Sequence, residues 1–64
     1  MLLYLNSKEN IAYAREVLVS LGVEHHLVTT SEEPIFEIQS ELSIYPPKIL
    51  ALKLKEFGRV EHNG

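Results

Sequence analysis

The chain has 64 residues, 45% of them hydrophobic, and a net charge of -3 from nine acidic and six basic side chains. A domain of this size buries only about 60% of the surface that its unfolded chain exposes, so its stability margin is thin. With no cysteine, disulfides, thiolate metal sites and thiol chemistry are excluded, and the acidic balance argues against nucleic acid, which needs a clustered excess of Lys and Arg.

All nine acidic residues are Glu. Glu32, Glu33, Glu37 and Glu41 lie mid-chain, whereas Lys48, Lys53, Lys55 and Arg59 lie near the C-terminus. Such runs read as two solvated faces. No apolar run is long enough to span a bilayer, and the start lacks the basic and apolar regions of a signal peptide. A cytoplasmic protein is expected.

In chain order, Leu2-Leu3-Tyr4-Leu5 is a short apolar run that suits a strand buried on both faces. Asn6 reads as a helix N-cap, with Glu9 at the capping-box position. Ile11, Ala14, Leu18 and Leu21 follow at helical spacing, with Val17 beside them. Gly22 ends the helix as a residue able to take positive φ, and Val23 packs back onto it. Residues 24–29 read as a second strand, completing a right-handed parallel βαβ unit.

Residues 34–38 fit a strand, but a helix fits better. Thr30 and Glu33 have capping-box spacing, Pro34 falls in the first turn, and Ile35, Ile38 and Leu42 share one face. Residues 49–54 contain helix formers. Yet Leu50, Leu52 and Leu54 alternate with Ala51, Lys53 and Lys55, which is strand period. A last strand follows over 59–62. The preferred reading is an α/β domain spanning 1–64, ordered βαβαββ. The alternative is an α+β ferredoxin-like order, βαββα, with 34–39 as a strand and 47–57 as a helix.

The preferred order resembles the thioredoxin-like fold, in its glutaredoxin and glutathione-transferase N-terminal versions. Leu3-Tyr4 is similar to that family's first strand, and Ala14, Val17 and Leu18 to its first helix. Gly22-Val23-Glu24 resembles the lead into its second strand. Tyr45-Pro46-Pro47-Lys48-Ile49-Leu50 resembles its cis-proline and third strand, with 53–64 as the closing hairpin. Where the family carries Cys-x-x-Cys, this chain has Lys8-Glu9-Asn10-Ile11, so thiol–disulfide exchange is excluded by composition. The family's C-terminal helix has no counterpart before residue 64, which implies an under-covered sheet face.

The candidate ligand-binding residues are Asn6, Ser7, Lys8, Tyr45, Pro46 and Pro47. A helix N-terminus with Lys8 beside it can hold an anion. The resemblance implies that Ser7 stands nearest the residue that holds a glutathione thiolate. It also implies that Pro47 is cis, with Tyr45 and Pro46 flanking a peptide groove. The simpler reading is that Asn6 and Ser7 cap the helix and that two prolines stop one element and start another. His25 and His26 are adjacent in a strand and point to opposite faces, so they do not chelate one ion, and His62 is distant. No glutamate pair has spacing that specifies acid–base catalysis.

The sequence thus points to a non-catalytic, redox-inactive binding or assembly module without cofactor, acting through protein–protein contact. The expected partner is another protein or a second copy in a symmetric homodimer, docked through the face carrying alternate residues of 49–54 or through an edge strand. Nucleic acid and membrane are not expected partners. The alternatives are a glutathione-binding fragment of a glutathione transferase-like enzyme and a small ferredoxin-like regulatory domain.

Overall fold

The computed structural model describes residues 1–28 and 32–62. Its elements run β1 (Leu2–Leu5), α1 (Asn10–Ser20), β2 (His25–Val28), β3 (Ile35–Ile38), α2 (Pro47–Leu54) and β4 (Gly58–Glu61). Short 3-10 turns cover Ser40–Leu42 and Lys55–Phe57. The fold is mixed α/β, with the four strands in one open sheet, in the order β2-β3-β1-β4. Every neighbouring pair is antiparallel. This is the split βαβ arrangement of ferredoxin-like topology. Among the described residues, no helix is long and apolar enough to cross a membrane.

Strand alternation builds the core. Leu3 and Leu5 of β1 and Phe36 and Ile38 of β3 are buried on one face. Ala14 and Leu18 of α1 and Leu50 and Leu54 of α2 are buried in the same cluster. Both helices therefore cover one side of the sheet. The other side carries Leu2, Tyr4, His26, Val28, Ile35, Glu37, Arg59 and Glu61, as the register requires.

The first helix closes as the sequence indicates. Gly22 has φ 68°. Its N–H donates to the Val19 carbonyl (3.0 Å), and the Val23 N–H donates to the Leu18 carbonyl (3.1 Å). These two bonds form a Schellman motif, and Val23 is buried behind it. The start differs. Asn6 does not cap α1, which begins at Asn10. Instead the Asn6 N–H donates to the Phe57 carbonyl (2.9 Å) and prolongs the pairing of β1 with β4.

Two middle elements are the reverse of the preferred reading. Residues 35–38 form a strand, not a helix, because Ile-Phe-Glu-Ile fills the slot between β1 and β2 and turns Phe36 and Ile38 inward. The Thr30 of the expected capping box and the Thr29 end of the second strand lie outside the described residues. Residues 47–54 form a helix, not a strand. Pro47 occupies its first turn, Leu50 and Leu54 meet the core one turn apart, and Leu52 is 67% exposed. The thioredoxin-like order βαβαββ therefore gives way to βαββαβ. β1 and β2 run the same way with β3 between them, and β4 pairs with β1 and not in a closing hairpin. The expected dimer face on alternate residues of 49–54 does not exist as a strand face.

Gly58 marks where the chain returns from α2 to the sheet. A Cβ there would stand 1.9 Å from the Tyr4 carbonyl oxygen, so only glycine permits this approach. The helical assignment of 47–54 has a direct check. Leu54→Ala is expected to cost about 2–5 kcal/mol, whereas Leu52→Ala should stay within about 0.5 kcal/mol. Urea denaturation measures both, and equal losses would contradict the helix.

Candidate functional site

The six sequence-predicted binding residues fall into two separate groups. Asn6, Ser7 and Lys8 form the turn between β1 and α1. The Glu9 N–H donates to Ser7 Oγ (3.2 Å), and the Asn10 N–H donates to the Ser7 carbonyl (3.1 Å), so Ser7 is spent on the local turn. Tyr45, Pro46 and Pro47 lead into α2. The Tyr45 N–H donates to Ser43 Oγ (3.0 Å), and Lys53 Nζ lies 5.7 Å from its ring centre. The Pro46 carbonyl accepts from the Ile49 and Leu50 N–H groups. No cis peptide bond occurs among the described residues, so Pro47 is trans. It is the 3-10 turn after the far end of α2, through Phe57, that meets Asn6. The two groups thus do not converge on one groove.

His25 and His26 take opposite sides of β2, as expected from strand geometry. The His25 ring lies edge-on to Phe36, with centroids 5.6 Å apart. Its Nδ1 is 2.9 Å from the Val23 carbonyl, a bond that requires the proton on Nδ1. Among the described residues no three or more His, Cys, Asp or Glu side chains gather as a metal site.

The arrangement that sequence reasoning missed lies between α2 and β4. Lys48, Ala51, Leu52 and Lys55 recur at i, i+3, i+4 and i+7 along α2 and so share one helix face. With Gly58, Arg59, Val60 and His62 they line an open groove of about 570 Å³. Its floor is apolar and its rim carries Lys48 and Lys55, while the Arg59 guanidinium lies on the opposite face of the sheet beside Tyr4. The signal was present in the sequence, but only a helical reading of 47–54 sets Leu52 apart from Leu50 and Leu54.

Along the groove runs β4, an edge strand with no strand on its outer side among the described residues. In an antiparallel ladder, successive residues turn their backbone groups to opposite sides. The bond from the Asn6 N–H to the Phe57 carbonyl fixes which ones face β1. Phe57, Arg59 and Glu61 address β1, in register with Asn6, Tyr4 and Leu2. Gly58, Val60 and His62 therefore turn their N–H and C=O groups outward. The opposite edge is β2, and just before it the His25 ring occupies the Val23 carbonyl.

On the open sheet face, the Arg59 guanidinium lies 4.5 Å from the Tyr4 ring centre. Arg59 is also 3.7 Å from the Glu61 carboxylate, with both side chains more than half exposed. Such a pair adds little stability. The Tyr4 phenol is pushed above its ordinary value of 10.0, first by desolvation, then by the Glu61 carboxylate that accepts its hydrogen bond and repels the phenolate. Glu33 adds to the rise and Arg59 opposes it.

Comparison of the chain with family models, with curated proteins and with solved structures returns no match.

The raised Tyr4 phenol has a sign that can be checked. Its folded-state value exceeds the unfolded one, so its stabilising contribution is complete below pH of about 10 and is lost as pH rises through the folded value. In a spectrophotometric titration, the Tyr4 step should lie above the ordinary tyrosine value of 10.0. Glu61→Gln should bring it down, and Tyr4→Phe should remove that step. A step removed by Tyr4→Phe that lies at or below the ordinary value would contradict the raised phenol.

Proposed function

We propose that this chain is a non-catalytic, redox-inactive assembly module that acts in the cytoplasm through protein–protein contact. The observation that carries this reading is the β4 edge, unpaired among the described residues, beside an apolar groove with a cationic rim. Backbone groups on a free edge give affinity to an incoming strand, and side-chain pockets beside it give selectivity. Leu52 is the apolar anchor at this place, and Ala51 and Val60 extend it.

The resemblance to thioredoxin-like domains enters only through what is missing, since no thiolate can form in a chain without cysteine. The glutathione-binding alternative gains no support from Ser7 and Pro47, which lie apart.

Sedimentation equilibrium from micromolar to millimolar protein tests the reading. Wild type should pass reversibly from 7.3 kDa to twice that mass. Leu52→Gln should weaken association several-fold and leave the melting temperature nearly unchanged, because Leu52 is exposed. A single 7.3 kDa species throughout would contradict self-assembly.

A further inference from the structure

We infer that the partner at this site is a second copy of the chain, joined β4 to β4 in an antiparallel pair centred on Val60. The inference rests on the assembly reading above and specifies its geometry.

The outward backbone groups restrict the possible pairings. Gly58, Val60 and His62 are the residues whose backbone groups face away from β1, so they must form the hydrogen-bonded pairs with the second copy. Symmetric pairing of the strand then allows three central registers, about residue 59, 60 or 61. Centring on 59 sets Arg59 against Arg59 of the second copy. Centring on 61 sets Glu61 against Glu61. Centring on Val60 sets Arg59 against Glu61 twice. Opposite charges directly across a pair stabilise it and like charges destabilise it. Only the Val60 register joins unlike charges.

The rest of the groove agrees with this register. The two-fold axis would run through the Val60 pair, perpendicular to the sheet, and keep both copies' helices on one side. His62 of the second copy would lie opposite Gly58, which has no side chain to obstruct it. The Lys48-Ala51-Leu52-Lys55 face of α2 would meet its own copy antiparallel, with Leu52 and Ala51 at the centre. The product is one eight-stranded sheet with no β4 edge left open. A closed two-fold contact of this kind stops at the dimer. Lys48 and Lys55 bring like charges together at the ends of the helix contact, which holds the affinity to a modest level. The intrachain contacts of Arg59 with Tyr4 and Glu61 already hold both charges on the open face of the sheet, where the pairing needs them.

Charge reversal isolates the claim. Arg59→Glu and Glu61→Arg each replace two attractive cross-strand pairs by two repulsive ones, and each should weaken the dimer at least tenfold. Mixing the two variants restores unlike charges at both positions, so a heterodimer should form with near wild-type affinity. The double variant, with both charges exchanged, should also dimerise. Circular dichroism confirms that each variant is folded, and sedimentation equilibrium reads the masses. If wild type dimerises but the single variants do so equally well, or if mixing restores nothing, the β4 pairing is wrong while the assembly reading stands. If wild type stays at 7.3 kDa, self-pairing is overturned, whether or not the groove then takes an acidic peptide.

Discussion

Two of the three strand pairings in this sheet pass through four residues, Leu2–Leu5 of β1. That strand pairs with β3 on one side and β4 on the other. Its side chains divide in the same way, with Leu3 and Leu5 under the helices and Leu2 and Tyr4 on the open face. The backbone alternation matters most. Leu5 donates to the Pro34 carbonyl on the β3 side and Asn6 to the Phe57 carbonyl on the β4 side. That choice turns Gly58, Val60 and His62 outward. The location of the outward hydrogen-bonding groups is thus a consequence of the pairing at the centre.

A domain this small has few ways to use such an edge. It has no cysteine to staple it, and its core is one cluster from β1, β3 and the two helices. Satisfying open backbone groups and covering Leu52 would add to a narrow margin. The basic residues near the edge act in the other direction. Lys48, Lys55 and Arg59 keep it hydrated and discourage arbitrary strand addition, a common protection for exposed edges. Arg59 and Glu61 flanking Val60 then favour one register over its neighbours. In the proposed pairing, selectivity at this edge would come from a three-residue pattern of charge, apolar residue and charge.

How much of this was legible in the sequence depended on whether the deciding interaction was local. The end of α1 was readable because Gly22 and Val23 satisfy their hydrogen bonds within five residues. The strand β1 was readable from a short apolar run, and the last strand, expected over 59–62, is found at Gly58–Glu61. The middle was not. Ile35 and Ile38 fit helical spacing, while Phe36 and Ile38 fit strand spacing, and pairing with β1 and β2 decides for the strand. Leu50 and Leu54 satisfy both periods as well, and the exposed Leu52 alone separates them. Reading 49–54 as a strand hid the groove, since its lining depends on the helical face of Lys48, Ala51, Leu52 and Lys55. The turn chemistry of Ser7 was visible, but its hydroxyl is occupied locally and meets nothing from Pro47.

The most direct measurement of the central claim is amide hydrogen exchange by NMR at low and high protein concentration. The account predicts that the Gly58, Val60 and His62 amides become protected as concentration rises, while the His25 and Leu27 amides on the β2 edge keep their exchange rates. Protection that appears at β2, or no change at Val60 while the mass doubles, would contradict assembly through the β4 edge.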